Sequence, residues 1–225
     1  MPKKEIKRPS IVTPELLLQR ATLKGISSLK ASLQVKVYND GDYLGVYPGS
    51  LIYKQPDLLK LSLYAPFGIT VMEFLYKKGE IQIYIPAKDT LYRGDVSFRR
   101  LLPDEKKLLS LPHQLKNTKS GYLLSFYNTD EKIYPKAIYI FSENTIQWKG
   151  LELYRGDKKV LKIGINELQE NLPTDFEVVT GRFRVRLFLK DIVINPELKD
   201  SLFHTGKASW VLPLRSFGGW HKEWP

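Results

Sequence analysis

The amino-acid sequence predicts a mainly β protein of the α+β class, built on a curled antiparallel sheet of about eleven strands. Alternating apolar and polar residues recur between residues 31 and 194, which is the period of a β-strand. Short turn signals separate these runs, and such short connections join neighbouring antiparallel strands. The alternation breaks over residues 97–111, where the apolar spacing becomes helical. An open sheet with so many strands must curl, and helices must cover its apolar side.

The N-terminus is predicted to be a flexible basic linker, residues 1–12, followed by one amphipathic helix. Thr13 can cap that helix and Pro14 suits its first position, so we expect it to run from about 14 to 27. A Lys or Arg near an anionic surface contributes roughly 1 kcal/mol to binding. Four linker residues are expected to make such contacts: Lys3, Lys4, Lys7 and Arg8.

The strands can be placed from their alternation and from the turns between them. A strand over 31–38 ends at Asn39-Asp40-Gly41-Asp42, a strong hairpin signal. The later strands are predicted near 43–54, 57–65, 69–77, 80–86, 89–94, 121–128, 134–142, 145–154, 158–165, 175–180 and 182–194.

Helices are predicted midway and near the end of the chain. Residues 97–102 and 103–111 form the inserted pair, which Pro112 ends, and a short final helix starts at Asn195 and runs through Phe203. We expect one domain over residues 13–203. A tail rich in Trp, Gly and Pro follows over 204–225, and its structure is not predicted.

The turn Ala65-Pro66-Phe67-Gly68 is the most informative local feature. Pro66 presets one turn angle and Gly68 tolerates a positive φ. Turn tips lie in water and are normally polar, so a large aromatic side chain there is unusual. Phe67 therefore either enters a membrane or a partner, or folds back onto the core.

The composition limits the partners. The formal net charge is +11, which favours an anionic partner such as lipid headgroups, nucleic acid or an acidic protein; alternatively, the charge only confers solubility. The sequence has no Cys, which excludes disulfides and thiolate chemistry. No apolar run approaches the ~18 residues that span a bilayer. Leu16-Leu17-Leu18 is too short for a signal-peptide core, so no targeting segment is expected in these residues.

The residues offer little for catalysis. His113, His204 and His221 lack metal-ligand spacing, and no nucleophile-elbow or phosphate-loop motif occurs. We therefore expect no enzyme, no cofactor and no metal. Arg182, Arg184 and Arg186 share one strand face and could bind the phosphates of nucleic acid or lipid, but we favour a solvated surface. Nucleic-acid binding is not expected, because that face carries too few aromatic residues for base stacking.

Three stretches resemble the LolA/LolB lipoprotein-carrier family, and LolB in particular. Residues 53–63 resemble its strand, Pro-Asp turn and strand with a basic residue, here Lys60. Residues 65–68 resemble the LolB Asn-Pro-Leu-Gly loop. Residues 79–112 resemble its next strands and inserted helices, which end in a Leu-Pro step. More weakly, Leu172-Pro173 and the strand after it resemble the family's last strands.

The resemblance implies an incomplete half-barrel, plugged by helices, that binds acyl chains of lipids or lipoproteins. By position, Phe67, flanked by Pro66 and Gly68, matches the LolB Leu that inserts into the membrane. The resemblance also implies a periplasmic carrier protein as a partner, and a lipid-anchored protein at the periplasmic face of the outer membrane. The anchoring Cys and the signal are absent from this sequence, and residues 201–225 have no LolB counterpart.

The expected function is thus binding, insertion or sorting of lipoproteins through a hydrophobic cavity. The alternative is a non-catalytic envelope module with the same fold and a filled cavity that docks a protein. The predicted cavity wall consists of Leu33, Val35, Leu61, Leu63, Ile81, Ile83, Phe126 and Leu187.

Overall fold

The computed structural model describes residues 11–21, 23, 25–95, 105–127, 136–169 and 171–217, and these residues are mainly β. The two α-helices are α1 (Pro14–Ala21) and α2 (Glu105–Leu109). The strands in chain order are β1 (Ser28–Asn39), β2 (Asp42–Lys54), β3 (Leu58–Tyr64), β4 (Thr70–Lys77), β5 (Glu80–Ile85), β6 (Thr90–Asp95), β7 (His113–Thr118), β8 (Gly121–Tyr127), β9 (Lys136–Ser142), β10 (Trp148–Arg155), β11 (Lys158–Gln169), β12 (Leu172–Thr180), β13 (Phe183–Ile194) and β14 (Trp210–Pro213).

The chain divides into two compact units. Unit 1 comprises Met1–Lys24 and Pro103–Thr180, and unit 2 comprises Gly25–Leu102 and Gly181–Pro225. The strands of unit 1 are ordered β12-β11-β10-β9-β8-β7. Those of unit 2 are ordered β14-β6-β5-β4-β3-β2-β1-β13. Neighbours within each unit pair antiparallel, except that β14 pairs parallel with β6.

Helix α1 packs on the sheet of unit 1. The Thr13 hydroxyl accepts a hydrogen bond from the Leu16 N–H at 3.3 Å, which confirms the predicted N-cap. Leu17 and Leu18 are buried and join a cluster with strands β8 and β9. The cluster's buried members are Leu17, Leu18, Ala21, Tyr122, Leu124, Phe126, Tyr139, Phe141 and Ile146.

The sheet of unit 2 has one continuous apolar face. Register fixes which residues share it: Leu33 pairs with Gly49, Gly49 with Leu63, and Leu63 with Met72. Because paired residues point to the same side, these strands present one row of apolar side chains. We call this surface the apolar face; it includes Leu33, Val35, Leu51, Leu61, Leu63, Phe74, Tyr76, Ile81, Ile83, Tyr92, Leu187 and Leu189.

The C-terminal residues cover parts of both faces of this sheet. Leu198 and Phe203 pack with Leu58 and Leu75 on the face opposite the apolar face. The chain then forms β14 at the edge strand β6. Beyond β14, Leu214 and Phe217 pack on the cluster that contains Tyr92. The tail therefore passes from one face of the sheet, around its edge, to the other.

The mainly β prediction is confirmed, but the count of about eleven strands is wrong, because the described residues form fourteen. Strand β7 was missed because its residues show no apolar alternation. Strand β14 was missed because its partner β6 lies more than a hundred residues earlier in the chain.

Helix bounds also differ from the prediction. Helix α1 ends at Ala21 rather than near 27, and Gly25 takes a φ of +84°, which no helix allows. Helix α2 spans Glu105–Leu109 and ends before Ser110, two residues short of the predicted end at 111. The predicted first residues of this helix, 103 and 104, and the predicted helix over 97–102 lie outside the described residues. The predicted final helix is only a 3₁₀ turn, Asp200–Leu202. Its predicted start, Asn195, has a φ of +56° and accepts a hydrogen bond from the Ser27 N–H at 2.7 Å.

Candidate functional site

The loop between β3 and β4 presents Phe67 to solvent. The Ala65 N–H donates to the Ile69 carbonyl at 2.7 Å, and the Gly68 N–H donates to the Ala65 carbonyl at 3.3 Å. These two bonds close a tight 3₁₀ turn over Pro66–Gly68. The Phe67 side chain is 101% exposed, so it does not fold back onto the core.

Phe67 also adopts a conformation that is unfavourable for its residue type. Its φ is +64° and its ψ is +17°, in the left-handed region that few L-residues other than Asn and Asp visit readily. The exposed ring gains no burial to offset this. Ile69 is 63% exposed beside it, so the loop tip is apolar as a whole. Strain of this kind at an exposed position is typical of functional segments.

The hairpin between β1 and β2 lies at the same end of the sheet. Leu63 pairs with Gly49, and from that pair β3 runs toward Phe67 while β2 runs back toward Asp42. The hairpin turns at Asp40 and Gly41, which both have positive φ, as its sequence predicted. Its arms expose three apolar side chains, Tyr43, Leu44 and Val46.

Seven of the eight predicted wall residues lie on the apolar face of unit 2. Six of them are buried, and Leu61 is half-buried. The eighth, Phe126, belongs to unit 1, where its ring meets that of Tyr139 edge-on at 5.8 Å. The structure thus brings the seven together on one sheet face, and their role as a ligand-binding wall stays a prediction.

The tail residues that cover this face were not predicted from the sequence. The Phe217 and Tyr92 rings meet edge-on at 5.1 Å. A Cβ on Gly94 would lie 2.7 Å from the Cβ of Leu214, so only glycine allows this close approach. Leu214 and Phe217 therefore cap the β5–β6 end of the apolar face. Residues 210–217 form too short a run for their apolar pattern to indicate this arrangement.

Strand β13 carries the predicted basic residues beside aromatic rings. The Arg184 guanidinium lies 4.5 Å from the centre of the Tyr38 ring. Lys36 and Arg186 lie 5.1 and 4.7 Å from the centre of the Phe188 ring. Strand alternation alone places Phe188 on the same face as these arginines, but Tyr38 could not be predicted there, because the pairing of β1 with β13 is non-local.

The carboxylate of Glu152 in unit 1 has a structural role. Burial raises the pKa of Glu152, but hydrogen bonds from Lys159 (2.5 Å) and Tyr154 (2.7 Å) outweigh it and leave that pKa below its usual value. All three side chains lie on one antiparallel pair, β10–β11. The arrangement is a satisfied surface network rather than an acid–base pair.

The two described histidines singled out from the sequence do not join the Phe67 loop or the apolar face. The exposed His113 and His204 each contact a nearby backbone carbonyl, and the described part of the chain holds no cluster of His, Asp or Glu that could bind a metal ion. Lys3, Lys4, Lys7 and Arg8 lie outside the described residues, as does His221. Across the described ranges, every helix is too short or too polar to cross a bilayer.

Three solved structures share this architecture. A DUF1329-family protein from Desulfovibrio piger superposes with a TM-score of 0.62 at 13% identity, over 85% of this chain and 95% of that one. A putative outer membrane lipoprotein-sorting protein domain from Vibrio parahaemolyticus superposes with a TM-score of 0.61 at 14% identity, over 84% of this chain and 93% of that one. A LolA-superfamily protein from Nitrosomonas europaea superposes with a TM-score of 0.58 at 15% identity, over 87% of this chain and 99% of that one.

The chain therefore has a LolA-like fold, as the sequence resemblance implied; a particular closeness to LolB does not follow from these structures. At such low identity the likeness concerns the fold alone. No protein-family model matches the sequence, and no curated protein matches it either.

Proposed function

We propose that this protein binds the acyl chains of lipids or lipoproteins on its apolar face and delivers them at a membrane through the Phe67 loop. The observation that carries the proposal is Phe67 itself, fully exposed in an unfavourable backbone conformation. The LolA-like fold supports it, because one structural neighbour is described as an outer membrane lipoprotein-sorting domain. The proposed work is binding and transfer, with no bond made or broken.

The apolar face supplies the binding energy in this proposal. Each buried CH₂ contributes ~0.8 kcal/mol, so a 16-carbon chain gains on the order of 10 kcal/mol before losses. The face spans strands β1 to β6 and β13, which is long enough to accept such a chain along several side chains. Phe67 would enter the bilayer so that the cargo leaves the face without crossing water.

The proposal places the protein in the cell envelope, at the periplasmic face of the outer membrane and lipid-anchored in its native form. A periplasmic carrier protein that hands over acylated cargo is the proposed partner. The cationic residues of the N-terminal linker, Lys3, Lys4, Lys7 and Arg8, would add contacts to an anionic membrane surface.

A second function is favoured by a separate observation. Six of the seven wall residues on the apolar face are already buried, and Leu214 and Phe217 add to the cover at its β5–β6 end. Strand β14 meanwhile exposes Trp210 and Val211 at the sheet edge. A protein with a filled interior that docks a partner through this edge would show both features.

Titration with a fluorescent fatty acid separates the two functions. Acyl-chain binding predicts a saturable signal that is weaker in Leu61→Gln, because this substitution places an amide on the apolar face. Leu153→Gln is the matched control, since Leu153 is a half-buried leucine on β10 in unit 1. Absence of binding by folded protein would favour the docking module.

A further inference from the structure

Two residues of the C-terminal tail, Leu214 and Phe217, lie over one corner of the apolar face. Both pack on a cluster of buried residues from β4, β5 and β6. The buried members of this cluster are Tyr76, Ile81, Ile83 and Tyr92. The two tail side chains are themselves half-buried, so the tail covers this corner of the face and closes it.

Strand register shows that this corner lies at the end of the strands remote from the Phe67 loop. Leu63 is the last apolar-face residue of β3 before that loop. When the pairs are followed across β4 and β5, the residue of β6 at the level of Leu63 is Thr90. Leu214 lies against Gly94, which is four residues further from the loop along β6. A ligand that extends from the Phe67 loop to Leu214 therefore crosses the face diagonally.

The length of this diagonal matches one acyl chain. Three strand spacings of about 4.8 Å separate β3 from β6, and four residues along β6 cover roughly 13 Å, so the diagonal measures about 20 Å. An extended hydrocarbon chain, with C–C bonds of ~1.5 Å in a zigzag, advances about 1.3 Å per carbon. About 15 carbons therefore fill the distance. The side chains along it are apolar on each strand, and they include Leu63, Phe74 and Ile83.

Contacts on the opposite face of the sheet hold the tail in place before it reaches this corner. The Gly206 N–H donates to one oxygen of the Glu73 carboxylate at 2.7 Å, and the Lys60 Nζ lies 2.7 Å from the other oxygen. Both charged side chains are mostly buried. Gly206 also lies so close to the Tyr84 ring that a Cβ would not fit between them.

The tail is then fixed a second time at the edge of the sheet. Residues 210–213 pair with β6 as strand β14, and Gly94 leaves room for Leu214 directly after that strand. The position of Leu214 and Phe217 on the apolar face is thus determined on both sides of the sheet. A wall in a fixed position can limit the length of a ligand that reaches it.

We propose that Leu214 and Phe217 are the closed end of the acyl-binding site and limit the length of the chain that it accepts. The carboxyl end of the ligand lies beside the Phe67 loop, and its methyl end lies against the two tail side chains. This assignment rests on the proposed function, from which it takes the acyl ligand. It adds a ligand class, straight chains of about 15 carbons, and the residues that select it.

The affinities of straight-chain fatty acids test this closed end. Competition with a fluorescent fatty acid measures them for the full chain, over a series from about 10 to about 20 carbons, in which each CH₂ that the face buries strengthens binding about fourfold. The wild-type affinity is expected to rise up to about 15 carbons and then to level off, because further carbons meet Leu214 and Phe217.

Substitutions at the closed end should move this limit in both directions. Phe217→Ala should move it to chains about three carbons longer, because the Phe ring extends roughly 4 Å beyond its Cβ. Phe217→Trp should move it to shorter chains, since its ring is larger. Leu214→Ala should also lengthen it. The matched control is Leu115→Ala, which truncates a half-buried leucine of the unit 1 cluster and should leave the limit unchanged.

The possible failures of the closed end and of acyl binding differ. Binding with the same limit in wild type and every variant, or with no limit at all, would overturn the closed end and leave acyl binding standing. A limit that moves as far in Leu115→Ala as in Leu214→Ala would overturn it too, because general loosening would then explain the change. No binding at any length, by protein that thermal unfolding shows to be folded, would overturn the proposed function and the closed end together.

Discussion

Replacing Phe67 with Asn should strengthen the fold while weakening membrane binding. This substitution separates fold stability from membrane binding, because the Phe67 side chain is fully exposed and so contributes no burial to the fold. Its backbone lies in the left-handed region at φ +64°. Asn tolerates that region better than Phe, and its side chain is polar.

The expected gain in stability follows from the backbone. Left-handed geometry costs an L-residue roughly 1–2 kcal/mol, of which Asn recovers a part. No burial is lost, since the ring has none to lose. We therefore expect the free energy of unfolding to rise by about 0.5–1 kcal/mol, which corresponds to a rise in Tm of roughly 2 °C for a chain of this size.

The expected loss in membrane binding follows from the side chain. Moving a Phe side chain from water into an apolar environment contributes roughly 2 kcal/mol. Removing it should weaken partition into vesicles by on the order of 30-fold. Phe67→Leu is the matched control, because it keeps an apolar side chain on the same strained backbone.

The assay is co-sedimentation with anionic vesicles, alongside thermal unfolding of each variant. We expect Phe67→Leu to retain most of the binding and the wild-type Tm, and Phe67→Asn to lose binding with a raised Tm. If Phe67→Asn binds vesicles as wild type does, Phe67 is not a membrane contact. A lowered Tm in that variant would show that the ring has a structural role.

Three further substitutions test the packing and charges described above. Gly94→Ala should detach the tail from β6, because its Cβ would lie 2.7 Å from that of Leu214; faster proteolysis of the tail would show this, and an unchanged rate would contradict it. Phe203→Ala should lower the free energy of unfolding by about 3–5 kcal/mol, since Phe203 is a fully buried ring; a loss below 1 kcal/mol in chemical denaturation would mean that the cluster is not a core. Glu152→Gln should lower the free energy of unfolding by about 1 kcal/mol at neutral pH. The value is small because water screens the exposed Lys159. The folded-state pKa of Glu152 is lowered, so its contribution to the free energy of unfolding is fully present above the ordinary value of 4.5 and is lost as pH falls through the folded-state value. The difference in stability between Glu152→Gln and wild type should therefore shrink in acid. A difference that stays constant with pH would refute the assignment.

Local chemistry explains the parts of the fold that the sequence predicted well. The β1–β2 hairpin turns at Asp40-Gly41, where both residues take the positive φ that this dipeptide favours. Thr13 caps α1 because its hydroxyl lies three residues before an unsatisfied N–H. On β13, alternation placed Leu187 and Leu189 on the buried side, as observed.

The parts that the sequence did not predict depend on distant partners. Strand β14 exists because residues 210–213 meet β6, and Asn195 leaves the helical region to bind Ser27 across the sheet. The covering role of Phe217 depends on where the tail passes β6, which no local pattern encodes. Of the candidate site, the exposed tip at Phe67 was predicted as one of two outcomes. The sequence placed Arg184 and Arg186 on one strand face, but not Lys36 beside them, because only the β1–β13 register pairs Lys36 with Arg186.

Native mass spectrometry of the purified full chain tests the central claim most directly. The account predicts bound species whose masses correspond to acyl-chain lipids, retained in Leu153→Gln and depleted in Leu61→Gln. A folded, ligand-free protein that also takes up no added fatty acid would contradict acyl binding. The apolar face would then be a closed core, and the protein a docking module.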